Sequence, residues 1–368
     1  MADFIRLDKE NEHRAQVYGS TNPSSIVGTG YGVTKMNKFS VYVEKTRGMT
    51  QDFSGQPEYS DGNVFQDGIA QKGISRLAEL GVSLPGEWRT EEDMKDVRED
   101  GTKVLRWTTE IKASEEFSAK ELQELGIPVD LAVKANASPD VEFFKGPRSR
   151  KPYAVAEVKM RAYADSRFKN LLSNDPMPGL PGAGKPWYGE ELTNEVLPSE
   201  YDQCQWHLLN TGLDVSYLFA CFNMMTSSVK VYVVNRDEKR ISFLKREVLK
   251  FHWRHVVNGE EPSLERSSAC DWYVRSRDQV TGHYREATSQ ETELVIRFVE
   301  AGAIAAKAKK EAYKLSLEMI DTIGKDKGIS FGQDWGRVGL RKGKTGKSVI
   351  VTQGLNSELI SEESKNVG

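Results

Sequence analysis

Apolar residues fall into short alternating runs and longer helical stretches, and the two periods divide the chain into elements. Strand-like runs occur at 103–113 (KVLRWTTEIKA), 139–144 (PDVEFF), 152–160 (PYAVAEVKM), 214–222 (DVSYLFACF) and 229–237 (VKVYVVNRD). Helical spacing marks 38–47, stopped by Gly48, and 67–80, which Gly73 weakens. Helices are also expected at 198–212, at about 243–257 and at 292–323, the last rich in Ala, Lys and Glu. In 198–212, Ser199 with Asp202 three residues later suits an N-cap, and Gly212 suits the exit. Pro and Gly crowd 164–198 so densely that it reads as a surface loop or lid. Residues 329–353 read as a twisted strand pair with a basic turn, followed by a frayed acidic tail.

One place breaks the apolar pattern. The runs PDVEFF and PYAVAEVKM flank KGPRSRK, which predicts an antiparallel hairpin centred on Arg148 and Ser149. That register sets Asp140 across from Glu157, with Cβ atoms roughly 5 Å apart. Period two puts Lys159 on the face of Glu157, while Ala156, Val158 and Met160 turn the other way into a core. Two neighbouring carboxylates repel, and partial burial adds to the cost. A hard divalent cation offsets both, and magnesium takes a few carboxylates plus water. Lys159 beside it can orient a water or neutralise charge building on a phosphate. The pattern suits metal-assisted phosphodiester hydrolysis. A solvated Glu–Lys pair beside a Pro-Asp turn is the plainer alternative. Against it stand the interrupted apolar strand and the basic turn (Lys145, Arg148, Arg150, Lys151), which suits a phosphate backbone.

Bulk composition sharpens this only by exclusion. The 368 residues, 38% hydrophobic and 29% charged, describe an ordinary globular chain. With 51 Lys+Arg against 54 Asp+Glu the net charge is -3, so any DNA contact needs a local basic patch. No stretch is apolar enough to span a membrane, and the charged N-terminus is unlike a signal peptide. Three scattered cysteines (Cys204, Cys221, Cys270) suit neither a disulfide framework nor a metal cluster, so a reducing cytoplasm is expected. His252 and His255 read as a surface or core pair rather than zinc ligands. Two phosphate-loop lookalikes fail: GLPGAGKP (179–186) has Pro186 where a hydroxyl is needed, and RKGKTGKS (341–348) has Arg341 for the first Gly. ATP hydrolysis is not expected.

The ordered motifs Ser138-Pro139-Asp140, Glu157-Val158-Lys159, Gln203-Cys204-Gln205 and Thr211-Gly212 resemble the phage lambda exonuclease and YqaJ-type viral alkaline-exonuclease family. That family belongs to the PD-(D/E)xK nuclease superfamily, and the likeness runs from about Gly68 to His255. It implies Asp140 and Glu157 as magnesium ligands joined by the Val158 carbonyl, with manganese able to substitute. It also implies Lys159 as catalytic lysine and Gln203 as a helix residue facing the site; a solvent-facing glutamine is the alternative. Ser25 falls where the family has a phosphate-contacting serine, though a loop or cap serine fits as well. One departure stands out: where the family has a further metal-binding Glu, this chain has Gln71 or Lys72, with Glu79 more distant. Gln71 can offer only an amide oxygen, which leaves a second metal, and even activity, open.

The expected architecture is α/β: a restriction-endonuclease-like mixed sheet flanked by helices, with a C-terminal extension. Residues 1–20 form an arm, 21–288 the core, 289–353 a long helix plus basic strand pair, and 354–368 a tail. The resemblance implies a 5′-to-3′ exonuclease on linear double-stranded DNA, leaving 3′ single strands for phage-type recombination. It further implies a ring-shaped homo-oligomer, a trimer, and a single-strand annealing partner. An endonuclease on the same core and a non-catalytic DNA-binding or scaffold protein are the rivals. Further DNA contacts are expected from Arg337, Arg341, Lys342, Lys344 and Lys347, unless these only solubilise a turn. The 292–323 helix serves packing, oligomerisation or DNA contact, and Trp187 either stacks on a frayed base or anchors its loop.

Overall fold

The structure, a computed structural model, describes residues 4–8, 11–29, 37–51, 57–90, 92–94, 105–161, 188–222, 228–264, 267–276, 287–323, 328–330, 337–342 and 348–353. The chain divides into two compact units, Met1–Asp278 and Gln279–Gly368. The fold is mixed α/β.

Short strands β1 (Phe4–Arg6) and β3 (Met49–Gln51) pair antiparallel at one margin of the first unit. Its other sheets among the described residues are two. In the smaller, β2 (Val17–Tyr18) runs parallel to β6 (Ala132–Ala137), and β5 (Trp107–Lys112) pairs antiparallel on the other side. The larger contains β4 (Glu87–Thr90), β7 (Val141–Phe144), β8 (Ala154–Arg161), β9 (Val215–Phe222) and β10 (Ser228–Asn235). Its order is β10-β9-β8-β7-β4, with β8 in the middle, parallel to β9 and antiparallel to β7.

Helices α1 (Asn22–Val27), α2 (Lys38–Arg47) and α3 (Pro57–Glu79) precede the larger sheet. Then come α4 (Ala119–Leu125), α5 (Pro198–Thr211), α6 (Glu238–Phe251) and α7 (Ser268–Ser276). Helix α3 lays Ile69, Ala70 and Leu77 on one face of the larger sheet, against Val141, Phe143, Ala156 and Phe219. Helix α5 covers the other face. Its Tyr201 and Cys204 pack on Leu218, Ala220 and Tyr232, and its Trp206 enters the core of the smaller sheet with Tyr18, Leu244 and Val248. Both faces of β8 are therefore buried from Ala154 to Glu157, and so is almost every residue of α5.

Several boundaries differ from the sequence pattern for identifiable reasons. Helix α3 starts ten residues before 67, across a stretch whose polar residues conceal the period. Helix α5 has Leu197 as N-cap and Pro198 at the first turn, where a missing N–H costs nothing. Ser199 and Asp202 are instead buried, and Asp202 holds the Arg240 guanidinium through bonds of 2.7 and 2.8 Å. Helix α6 starts five residues before 243, because the Asp237 side chain accepts the Lys239 and Arg240 amides as an N-cap. It ends in a π-helical turn, His252–Val257. There His252 meets the Tyr18 hydroxyl at 2.9 Å and His255 meets the Glu260 carbonyl, so the histidine pair serves packing. The three cysteines are free and buried. Among the described residues no helix is long and apolar enough to cross a membrane.

Gly73 has a packing reason. A Cβ there would lie 2.4 Å from Cγ of Phe219, so the glycine lets α3 approach the sheet. Gly73→Ala is expected to destabilise the protein by about 1–3 kcal/mol, the usual cost of overpacking. Urea unfolding would register this as a lower midpoint; an unmoved midpoint would mean that the Phe219 ring swings aside freely.

In the second unit, α8 (Ser289–Ile323) contacts two strands of a three-stranded antiparallel sheet, β11 (Gly328–Ser330), β12 (Arg337–Lys342) and β13 (Ser348–Gln353). Arg341 and Lys342 lie in β12. Lys344, Lys347 and Trp187, most of the 164–198 segment, GLPGAGKP, the turn of RKGKTGKS and the acidic tail lie outside the described residues.

Candidate active site

Register places the central groups. Val141 pairs with Ala156, Glu142 with Val155 and Phe143 with Ala154. One further step sets Asp140 opposite Glu157, as a hairpin symmetric about Arg148 and Ser149 requires. Strand β7 starts at Val141, and beyond its end the Asp140 carboxylate continues the ladder. Its Oδ2 accepts the Val158 N–H at 2.7 Å. The strand pair is thus closed by a side chain, which fixes the carboxylate beside Glu157.

Alternation along β8 sends Ala156 toward α3 and Glu157 toward α5. Glu157 is 3% exposed, and its Oε1 accepts from the Lys159 ammonium. The same oxygen accepts from Gln203 Nε2 at 2.7 Å. His207 Nε2 lies 3.7 Å from the other Glu157 oxygen. Gln203 also reaches the Ser20 hydroxyl at 3.4 Å, which ties the N-terminal segment to this centre. Its own carbonyl oxygen is buried without a hydrogen-bond partner among the described residues. An orphaned buried oxygen is costly unless something polar meets it.

Electrostatics fix the lysine's state. Burial alone would drive the Lys159 ammonium toward neutrality, but the carboxylates of Glu157, Asp140 and Glu200 outweigh it, and the pKa is raised. Lys159 is therefore a fixed cation at neutral pH. Glu200 is fully buried and takes the Tyr188 hydroxyl on Oε1 at 2.6 Å. With Gln203 and His207 it forms one face of α5, at spacings of three and four residues.

The helix is held from behind. Gln205 donates to the Asn235 carbonyl and accepts from the Asp237 amide, at 2.7 and 2.9 Å. Trp206 Nε1 donates to the Tyr18 carbonyl at 3.0 Å. Of the two glutamines in Gln203-Cys204-Gln205, one thus faces Glu157 and the other braces α5 against the turn from β10 into α6.

Asp140, Glu157, Lys159 and Gln203 come together; other expected residues do not join them. Gln71 and Lys72 are exposed on α3, the helix that covers the opposite sheet face. Ser25 is buried in α1 and its hydroxyl donates to the Thr21 carbonyl at 3.1 Å, a helix-interior bond. Lys145, Arg148, Arg150 and Lys151 are exposed, but at the turn end of the hairpin. Lys151 lies six positions before Glu157, about 20 Å along an extended chain. The basic turn therefore does not line the carboxylate centre. Glu200, His207 and Tyr188 are the groups that motif reading missed. The helical spacing of Glu200 and His207 from Gln203 is the signal that could have found them.

The donors fit a hard cation. Asp140, Glu157 and the Val158 carbonyl offer oxygen only, and magnesium accepts one or two carboxylates with water completing its shell. Among the described residues no group of three or more His, Cys, Asp or Glu is placed to hold a metal.

Fold and site together define a mixed α/β protein with a buried carboxylate–lysine centre midway along β8, beside the start of β7. No family model and no curated protein matches the sequence. Among solved structures the chain is similar to LHK-Exo in complex with dAMP, at 12% identity and a TM-score of 0.34, over 72% of this chain and 94% of that one. It is likewise similar to an alkaline exonuclease (LHK-Exo) from Laribacter hongkongensis, at 12% and 0.34, over 72% and 93%. A third, the crystal structure of SSO0001, gives 12% and 0.33, over 75% and 90%.

Proposed function

We propose that the chain is a magnesium-dependent deoxyribonuclease, with its chemistry at Asp140, Glu157 and Lys159. The observation that carries this reading is the buried Glu157, held by Lys159 and Gln203 and set opposite Asp140 one step beyond the Val141–Ala156 pair. A purely structural ion pair has no need of a second carboxylate set beside it. When bound there, magnesium supplies Lewis-acid polarisation of a phosphodiester and a more acidic bound water. Asp140 and Glu157 hold the ion, the Asp140 carboxylate being oriented by the Val158 amide. Lys159 keeps its proton and balances negative charge on the scissile phosphate as the transition state forms. Gln203 holds Glu157 in place, and Glu200 adds negative charge that keeps the lysine cationic.

The finer reading is an exonuclease on linear duplex DNA, working 5′ to 3′ and leaving 3′ single strands for recombination. The order of the sequence motifs supports it. Purified protein with 5′-labelled and 3′-labelled linear duplex, with and without magnesium, tests it. The expected result is magnesium-dependent release of the 5′ label first, with covalently closed plasmid left intact. Cleavage of closed plasmid would make the protein an endonuclease. Binding of DNA with no cleavage in any metal would leave a scaffold.

A further inference from the structure

Helix α8 exposes more large apolar surface than its own unit covers. Leu294, Phe298 and Leu315 are 62%, 77% and 49% exposed. The described contacts of the helix are with β12 and β13, and Ile323 is buried. One set of its apolar residues, running from Leu294 through Phe298 and Leu315 to Met319, alternates at four and three positions, the spacing of a coiled-coil seam, whereas the exposed Val299 and Tyr313 lie off it.

The sizes along that seam mirror about the point between Ala306 and Lys307. Leu294 lies as far from it as Met319, and Phe298 as far as Leu315. Inside them Ala301 mirrors Ala312, and Ala305 mirrors Ala308. A heptad is symmetric in spacing by construction, but not in residue size. Two copies laid antiparallel would match bulky residue to bulky residue at both ends and alanine to alanine across the middle.

A parallel pair in register would match sizes as well, so the flanking charges choose the direction. In an antiparallel pair, Arg297 of one helix falls beside Glu318 of the other, twice by symmetry. A parallel pair would set Arg297 against Gly302 and Glu311 against Ser316, with no opposite charges matched. Val295 and Ile304 flank the seam, whereas Ile296 and Leu317 lie behind it.

We propose that α8 pairs antiparallel with α8 of a second copy of this chain along the Leu294–Met319 seam, giving an isologous two-fold contact. The assembly then holds an even number of chains, in place of the trimer that the sequence resemblance implies, whether or not the protein cuts DNA.

Full-length protein tests this by light scattering and by disulfide trapping. The wild type should show an even multiple of the chain mass, and Ala305→Glu with Ala308→Glu should halve it without loss of helical signal. Leu294→Cys and Met319→Cys together should form an intermolecular disulfide on oxidation. The two sites are 25 residues apart, about 38 Å along one helix, so they cannot join within a chain. Each single cysteine variant should remain uncrosslinked. A wild type of single-chain mass, an odd number of chains, a mass insensitive to the paired glutamates, or crosslinking by one cysteine alone would each overturn the proposal.

Discussion

Lys159→Ala is expected to lower DNA cleavage by about a thousandfold or more while duplex binding survives. The size follows from removing one preorganised positive group that acts on developing charge, typically worth about two to three orders of magnitude. Desolvation strengthens the effect here, because the ammonium is largely buried and three carboxylates keep it charged. Single-turnover cleavage of linear duplex, beside a binding titration, separates the outcomes. Retained binding shows that the variant is folded, and unchanged cleavage would reduce Lys159 and Glu157 to a structural pair. Lys159→Arg keeps the charge but broadens the group, so it should recover only part of the activity.

Glu157→Gln is the second large expectation. The substitution keeps the shape of a buried side chain and removes its charge. Magnesium affinity by calorimetry should fall by more than about tenfold, since one of two carboxylate donors is lost. Cleavage should fall at least as far as in Lys159→Ala, because the lysine also loses its nearest counter-charge. That loss leaves a buried ammonium facing only Asp140 and Glu200, so the thermal midpoint should drop too. Equal magnesium heats in wild type and variant would exclude Glu157 as a ligand.

The hairpin register was legible because two apolar runs flank one short basic turn, and one residue of slip would have turned Ala156 and Glu157 inside out. The strands at 214–222 and 229–237 were legible as runs of aromatic and β-branched residues, though the second ends at Asn235. Less was visible where burial came from two sides. Helix α5 lies between the sheets, and a helix enclosed on every side has no polar face to mark its period. Glu200, Asp202, Gln203 and His207 therefore resembled the solvent side of an amphipathic helix, and only contact with Glu157, Tyr188 or Arg240 separates their roles. Strand β6, Ala132–Ala137, escaped notice because Ala, Lys and Asn are poor strand formers, kept in place by the neighbours β2 and β5. The basic turn was legible as exposed but not as remote, since a hairpin's charge pattern does not reveal which end carries the chemistry.

The bond from the Val158 amide to Asp140 gives the protein a built-in spectroscopic probe. A single amide proton in the middle strand of the larger sheet points at a carboxylate rather than a carbonyl. Its nitrogen-15 and proton resonances should therefore move when that carboxylate changes partner, whereas the amide of Val155, deep in the same strand, should stay still. Titrating labelled protein with magnesium and following these two signals reads occupancy at Asp140 directly, without DNA and without turnover.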